Sequence, residues 1–595
     1  MIEISEHPAP SMNACDVLLL FFSKFSVMKR LLLPCIACCS LYAVVMPPHR
    51  GSIAAGGPDV VSACSPQQTR PITERKDGRF ITPLPGWGHY SYTISTTSDS
   101  AQYYFNQGLT LYYSYHPKEA LASFKEANRF DTSSIMTRWG QLLAMGPTYN
   151  GAHLYIMPPD VTNTVLKLQD QIAGSAATKE KEMAEAVISR YPVAQTASRD
   201  TLNRIYAAKM KILMNKYPGD LDIAALYVDA VMLIHPWNFW NNDGTPKEWT
   251  EELVSINANI IKAKPQHPGA LHYQIHVTEA SRQPEVALAI AKALRENFSG
   301  IAHMVHMASH EYERNGLFAE GIPSNDKADE NLLLYDSLAP HLSLSRHSQH
   351  YFAVQAYCAL SGAMSAESER TARRCSKSVS PSPEGTYEQY LSMFPLLAQV
   401  RLGQWKSILE QQPPDNKLAY ASILFHFGRG MALLNTGKTN EAEEQLRLLK
   451  ERLADPILKI RRIPFNTPLD GARIAEGILE GAIAFKQKKP VAALAGFSQA
   501  TSIEDRLIYT EPNDWMLPAR QYLGAHLLQA GQAATAEKIY REDLILNPGN
   551  GWSCLGLYLS LKKQNKQTEM QFYRDAYLRS FEKAENIPSA SAFIP

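Results

Sequence analysis

At 595 residues the chain exceeds what one compact core supports, so several domains or a repeat array are expected. Lys and Arg number 59 against 58 Asp and Glu, a formal charge of +1; with no basic stripe and no nucleic-acid motif, nucleic acid is set aside as a partner. The 45% hydrophobic content is that of an ordered protein. The first element is a leader. From Met28 the chain reads MKRLLLPCIACCSLYAVVMPP, a Lys-Arg pair before an apolar run, Leu31 to Met46, which is the pattern of a secretory signal. The run is shorter than the roughly 20 residues of a membrane span; a non-cleaved anchor is the alternative. Residues 1–46 are therefore read as leader, with 1–27 a gene-model extension if Met28 is the true start. VSAC, ending at Cys64, resembles a lipobox but lies far from the apolar run, so any membrane tether is at the N-terminus only. Residues 47–85 are rich in Pro, Gly and Ser and read as a flexible linker. The location that follows is exported, periplasmic or associated with the cell envelope. Five of eight cysteines lie in this leader region; Cys358, Cys375 and Cys554 make neither a disulfide framework nor a cysteine zinc site.

A helical repeat begins next. In SAQYYFNQGLTLYYSYHPKEALASFKEANRFD, Gly108, Ala120, Phe124 and Ala127 stand at the small and aromatic positions of a tetratricopeptide (TPR) repeat of 34 residues. Small residues let paired helices approach, and the aromatic fills the gap to the next pair. Gly481, Ala493, Phe497 and Ala500 keep all four positions; Gly524, Ala536 and Tyr540 give another copy, Gly430 with Ala442 a partial one, and Gly556 starts a degenerate last one. The expected fold is all-α, a TPR-like α-solenoid (a right-handed superhelix of antiparallel helix pairs), irregular in the middle. Its divisions are 86–265, an N-terminal TPR and irregular helical region; 266–375, histidine-rich TPR-like repeats; and 376–595, C-terminal TPR repeats.

The irregular middle contains GPTYN, read either as a helix stop with Asn150 as cap or as Tyr149 and Asn150 at the groove floor, supporting the histidines from outside. In the loop HPWNFWNNDGTPKEW, Trp237, Trp240 and Trp249 either line a pocket or plug the edge of the solenoid. EPNDW reads as a clasp between repeats with Asp514 capping the next helix, or as a device that points Glu511 into the groove.

Seventeen histidines are unevenly spread. HPGALHYQIHVTEAS carries His267, His272, His276 and Glu279; HMVHMASHEYERNG carries His303, His306 and His310. In the repeat frame, Gly316 falls in the turn and Ala302 at the first helical position. His303, His306 and His310 then share one face with spacing i, i+3, i+7, and His272, His276 and Glu279 share the corresponding face of the preceding helix. Those positions line the concave groove of a TPR solenoid. His347 and His350 follow at the start of the next helix and are expected to close the same cavity. His267, at a helix start, falls outside the set. Neutral imidazole is a common ligand of transition metals, so Cu, Fe or Zn is expected on His272, His276, Glu279, His303, His306, His310, His347 and His350. Glu279 is read as a ligand or a proton carrier. Seven or more donors suffice for two metals, or for one metal with a layer that touches substrate. Glu311 follows His310 directly, so the H-E-x-x-H pattern of zinc proteases is absent. Two functions stay open: a metal-dependent enzyme, oxidoreductase or hydrolase, acting on a small molecule or peptide in the groove; and a scaffold that binds a peptide or protein partner there without catalysis.

The motifs YYFNQGLTLYY, RWGQLLAMGPTYN, HPWNFWNNDG, HPGALHYQIHVTEAS, HMVHMASHEYERNG, EPNDWMLPARQYLGAHLLQAGQAATAE and REDLILNPGNGWSCLGL occur in that order. In this they resemble a widespread bacterial family of exported TPR proteins, mostly of undefined function. The resemblance runs from about residue 86 to about residue 565 and implies the solenoid fold and the placement of the histidine site, but no reaction. His272, His276, Glu279, His303, His306, His310 and His350 match the family pattern. Ala308 stands where the family usually has Pro, Glu311 where it has an apolar residue, and Pro117 where it tends to have His.

Overall fold

The structure, a computed structural model, describes residues 72–595 apart from 175–177, 192–196 and 461–464. The expected leader and Cys64 lie outside the described residues. Among those described the chain is α-helical, with short 3-10 turns and no strand. Along nearly the whole chain each helix packs on the one after it, which makes the molecule an all-α, TPR-like solenoid. None of the described helices is long and apolar enough to cross a membrane.

The repeat signature is realised as contact. Helix α1 (Asp99–Tyr113) packs on α2 (Pro117–Phe130) with Gly108 against Phe124: a Cβ on that glycine would lie 2.9 Å from the ring. Gly481 meets Phe497 at 2.9 Å and Gly524 meets Tyr540 at 2.4 Å in the same way. The small residue therefore sets how closely two helices approach.

Among the described residues two large hydrophobic cores form, one drawn from Ile72 to Leu344 and one from Phe318 to Ile594, with two smaller clusters beside them. They overlap on a long helix, Phe318–Leu338, whose start belongs to the second and whose Tyr335 belongs to the first. The expected boundary at 265/266 is not a core boundary. The helix Pro268–Thr278 packs onto the first repeat so tightly that a Cβ on Gly269 would lie 2.7 Å from the Tyr113 ring. The histidine-rich stretch is instead split between the two cores. Residues 72–85, within the linker expected over 47–85, pack against the repeats. Ile81 and Leu84 are buried, the Leu84 N–H donates to Gln107, and Pro85 accepts from the Tyr335 hydroxyl at 2.9 Å. Apolar side chains at 72–85 give that segment a core to join, despite its turn-rich composition.

The C-terminal repeats return to the histidine helices. Arg314 donates to the Leu546 carbonyl at 2.9 Å and Asn242 to that of Asp505 at 3.1 Å. Gly316 (φ +70°) meets Gly549 (φ +75°) so closely that a Cβ on Gly316 would sit 2.0 Å from the Gly549 carbonyl oxygen. Gly316→Ala combines left-handed strain with a backbone clash. It is expected to cost about 2–4 kcal/mol, read as a lower urea midpoint; an unchanged midpoint would mean that this contact is not made.

Candidate metal centre

Four helices build the site. Helix α3 (Pro268–Thr278) starts with Pro at its first position and with His267 as N-cap, whose Nδ1 accepts the Ala270 N–H at 3.2 Å. Helix α4 (Ala302–Arg314) starts at Ala302, where the repeat frame puts it. It packs against α3, against α5 (Phe318–Leu338) and against α6 (Gln349–Ser361), which is capped by Ser348 accepting from the Tyr351 N–H. His272 and His276 on α3, His303, His306 and His310 on α4, and His350 on α6 are all brought together.

They form two triads. The ligand atoms of His272, His276 and His303 lie within 4.8 Å of one another, and so do those of His306, His310 and His350. Within the first, the Nε2 atoms of His272 and His303 are 3.0 Å apart, and those of His276 and His272 3.1 Å. Within the second, the Nε2 atoms of His310 and His306 are 2.9 Å apart. The triads adjoin: the His303 and His306 rings are 5.9 Å apart and the His276 and His310 rings 6.5 Å. All six imidazoles are buried, His350 being the most exposed at 9%.

The outward nitrogens explain the orientation. His272 Nδ1 faces the Tyr113 carbonyl at 2.6 Å. His276 Nδ1 and His310 Nδ1 each face one oxygen of Glu279, at 3.0 and 2.9 Å. His306 Nδ1 faces Asn325 Oδ1 at 2.6 Å, and the Asn325 amide nitrogen, donating to the Gly321 carbonyl, settles which way that side chain points. All four partners are acceptors, so Nδ1 carries the proton in His272, His276, His306 and His310 and their Nε2 atoms face inward, whereas His303 Nδ1 is buried without a partner. Burial, then the neighbouring imidazoles, hold His272, His303 and His306 well below the ordinary histidine value, and His350 at about 3. Burial also pulls on His310, but the Glu279 carboxylate outweighs it and holds that ring above its usual value. Glu279, which burial alone would raise, is held down by His276 and His310 and is ionised. Glu511 approaches the same pair, its ligand atom within 4.8 Å of those of Glu279 and His310. Burial and the Glu279 charge push its carboxyl well above the usual range, so one of two neighbouring buried carboxyls keeps its proton.

Several expectations change. The histidines do not line an open concave wall: they are buried, with the first-repeat turn, α6 and the segment carrying Glu511 packed against them. Glu279 stands behind both triads as the shared acceptor and belongs to neither, while with His310 and Glu511 it forms a third group whose ligand atoms lie within 4.8 Å of one another. His347 does not close the cavity: its Nδ1 pairs with Asp329 at 2.9 Å and its side chain is 53% exposed. Asp514 does not cap the following helix. It accepts from the Asn466 amide at 2.7 Å, while Glu504 accepts the Ala519 N–H. Glu311 joins neither triad; burial pushes its carboxyl well up. Asn150 is buried with neither amide atom hydrogen-bonded, and so does not cap a helix. Tyr149 lies against the site, its ring 4.9 Å from His276 and stacked at 4.4 Å on Trp237. The Trp240 indole donates to the Val277 carbonyl of α3 at 2.8 Å. His267 stays outside, facing Asp222 at 3.6 Å.

Sequence reading missed four contributors. Tyr115, in the left-handed region at φ +53°, sets its ring 4.5 Å from His272 and roofs the first triad. His116, held by Glu119 at 2.8 Å, accepts the His303 N–H at 3.5 Å. Tyr351 stacks on His306 at 4.0 Å, and Asn325 orients that histidine. A Tyr-His pair in the first turn was the available signal for the first two. Asn325 sits on a helix with no distinguishing pattern.

Fold and site together define a class: a TPR-like helical-repeat protein enclosing two adjoining histidine triads. No protein-family model and no curated protein sequence matches the chain. Among solved structures it is similar to the human IFIT1 dimer with m7Gppp-AAAA, at 13% identity and a TM-score of 0.27, covering 83% of this chain and 92% of that one. It is also similar to the TPR domain of P58(IPK), at 12% identity and a TM-score of 0.20, covering 79% and 99%. The fold assignment rests on the helix packing and glycine–aromatic contacts of this chain itself.

Proposed function

We propose that the protein is a binuclear metal protein in which His272, His276 and His303 hold one ion and His306, His310 and His350 a second. One observation carries this reading: in four of the six histidines Nδ1 is tied to an acceptor, which turns Nε2 into a buried space where these atoms lie 2.9–3.1 Å apart, within reach of a shared cation. Of the metals expected, Cu and Zn suit a set of six imidazoles without a carboxylate better than Fe, whose sites commonly mix imidazole with carboxylate. Three-histidine sites leave a coordination position open, and an ion there polarises a bound oxygen or changes oxidation state, the chemistry of a hydrolase or an oxidoreductase. Glu279 would fix the tautomers of His276 and His310, and Glu511 would hold a proton next to them. An exported location, from the leader pattern, belongs to the same proposal. The scaffold reading needs polar groups exposed along many repeats, whereas these are buried at one point.

The test is elemental analysis of untagged protein purified without chelator. About two equivalents of metal are expected. Protein that carries none and takes none up on titration overturns the reading. The shared carboxylate adds a second check. Glu279→Gln keeps one acceptor for two imidazoles and is expected to weaken one site about 10–100-fold, whereas Glu279→Ala should weaken both. Competition with a chelator of known affinity measures this; equal loss in the two variants would count against the shared role.

A further inference from the structure

A cleft of about 660 Å³ opens between the loop 236–247 and the segment 504–515, a volume suited to one small organic molecule. Trp237, Trp240, Phe465 and Tyr509 are among the residues that line it. Trp237 is held in the left-handed region at φ +54°, its N–H donating to the Tyr149 hydroxyl at 3.0 Å and its ring 4.7 Å from that of Phe465. Such backbone strain in a bulky residue is kept where the surroundings impose it, often at ligand sites.

The cleft reaches the histidines at two points. Through Trp237 and Tyr149 it meets His276, with rings 4.4 and then 4.9 Å apart. Along the 509–511 segment, where Tyr509 lines the cleft and the Glu511 ligand atom lies within 4.8 Å of that of His310, it approaches the second triad. Each triad thus has one connection to the same space. Around the cleft Arg314 donates to three backbone carbonyls, Arg282 to one and Arg520 to Asp505, and Lys247 also lines it. Asn513 lines it as well, and its side-chain oxygen is an acceptor; Asp514 and Asp543 also line it but are buried and already paired, with Asn466 and with Ser553 and Asn547. Aromatic side chains beside the Asn513 oxygen select an aromatic ring that carries a hydroxyl donor.

The geometry points to a phenol-class aromatic as the occupant of this cleft. That such a ligand serves the histidine centre rests on the binuclear reading; its binding in the cleft does not. The experiment is calorimetric titration of the full chain, metal-loaded and metal-stripped, with p-cresol and with 4-methylcyclohexanol, which matches it in size but lacks the aromatic ring. p-Cresol should bind saturably, at least tenfold tighter than 4-methylcyclohexanol. Trp237→Leu and Phe465→Ala should each weaken it at least tenfold while keeping native circular dichroism; if the first does not fold, the second decides. Equal binding of the two compounds, no saturable binding of p-cresol, or unchanged affinity in the folded variants overturns the cleft assignment. Binding of p-cresol through Trp237 by a chain that takes up no metal supports the cleft and overturns the binuclear reading alone.

Discussion

Replacing His306 with alanine is expected to lower bound metal from two equivalents to one. His272→Ala should do the same at the other triad, and the two changes together should leave none. Each triad supplies three imidazoles, so either change leaves two ligands, while the other triad keeps its own. An apparent binding free energy of ~10–16 kcal/mol over four ligands in structural zinc sites puts one ligand at ~3–4 kcal/mol. Losing it weakens a site on the order of a hundred- to a thousandfold. His347→Ala is the control: that side chain is half-exposed and paired with Asp329, so two equivalents should remain. Elemental analysis after exhaustive dialysis against a weak chelator reads all four proteins. If either single change abolishes both equivalents, the triads are one site; if neither changes the content, the histidines are not the ligands.

Removing the metal should lower the thermal midpoint by on the order of 10 °C and turn one transition into two. At free metal a thousandfold above Kd, each site stabilises the folded state by ~4 kcal/mol, so two sites give ~8. Domains of 150–250 residues shift ~2–4 °C per kcal/mol, and a unit as large as this one shifts less. The splitting follows from where the ligands sit. His272, His276 and His303 belong to helices of the first hydrophobic core, while His350 is on α6, whose apolar residues pack in the second. An ion on His306, His310 and His350 therefore ties one core to the other. Calorimetry with and without chelator measures both effects. A midpoint that chelation leaves unchanged would remove the metal as a structural element.

Much of the arrangement was legible from spacing. A glycine 16 residues before an aromatic predicted the contacts of Gly108 with Phe124 and Gly481 with Phe497, because the distance along two paired helices is fixed by helix geometry. The same frame placed the start of α4 at Ala302 and aligned His303, His306 and His310. Other contributors left no periodic trace. Tyr115 and His116 come from a turn nearly 190 residues away in sequence from His303, and the acceptors behind His272 and His306 are a backbone carbonyl and an asparagine on other helices.

The sequence alone determined the all-α repeat fold and the helix faces that carry the histidines, since both are local consequences of a 3.6-residue turn and of small residues at fixed offsets. Only the tertiary structure decided that the six histidines divide three and three, that Glu279 supports both triads from behind, that His347 stays outside, and that the wall is buried instead of open. Those outcomes depend on which distant helices pack together, and a local pattern does not contain that.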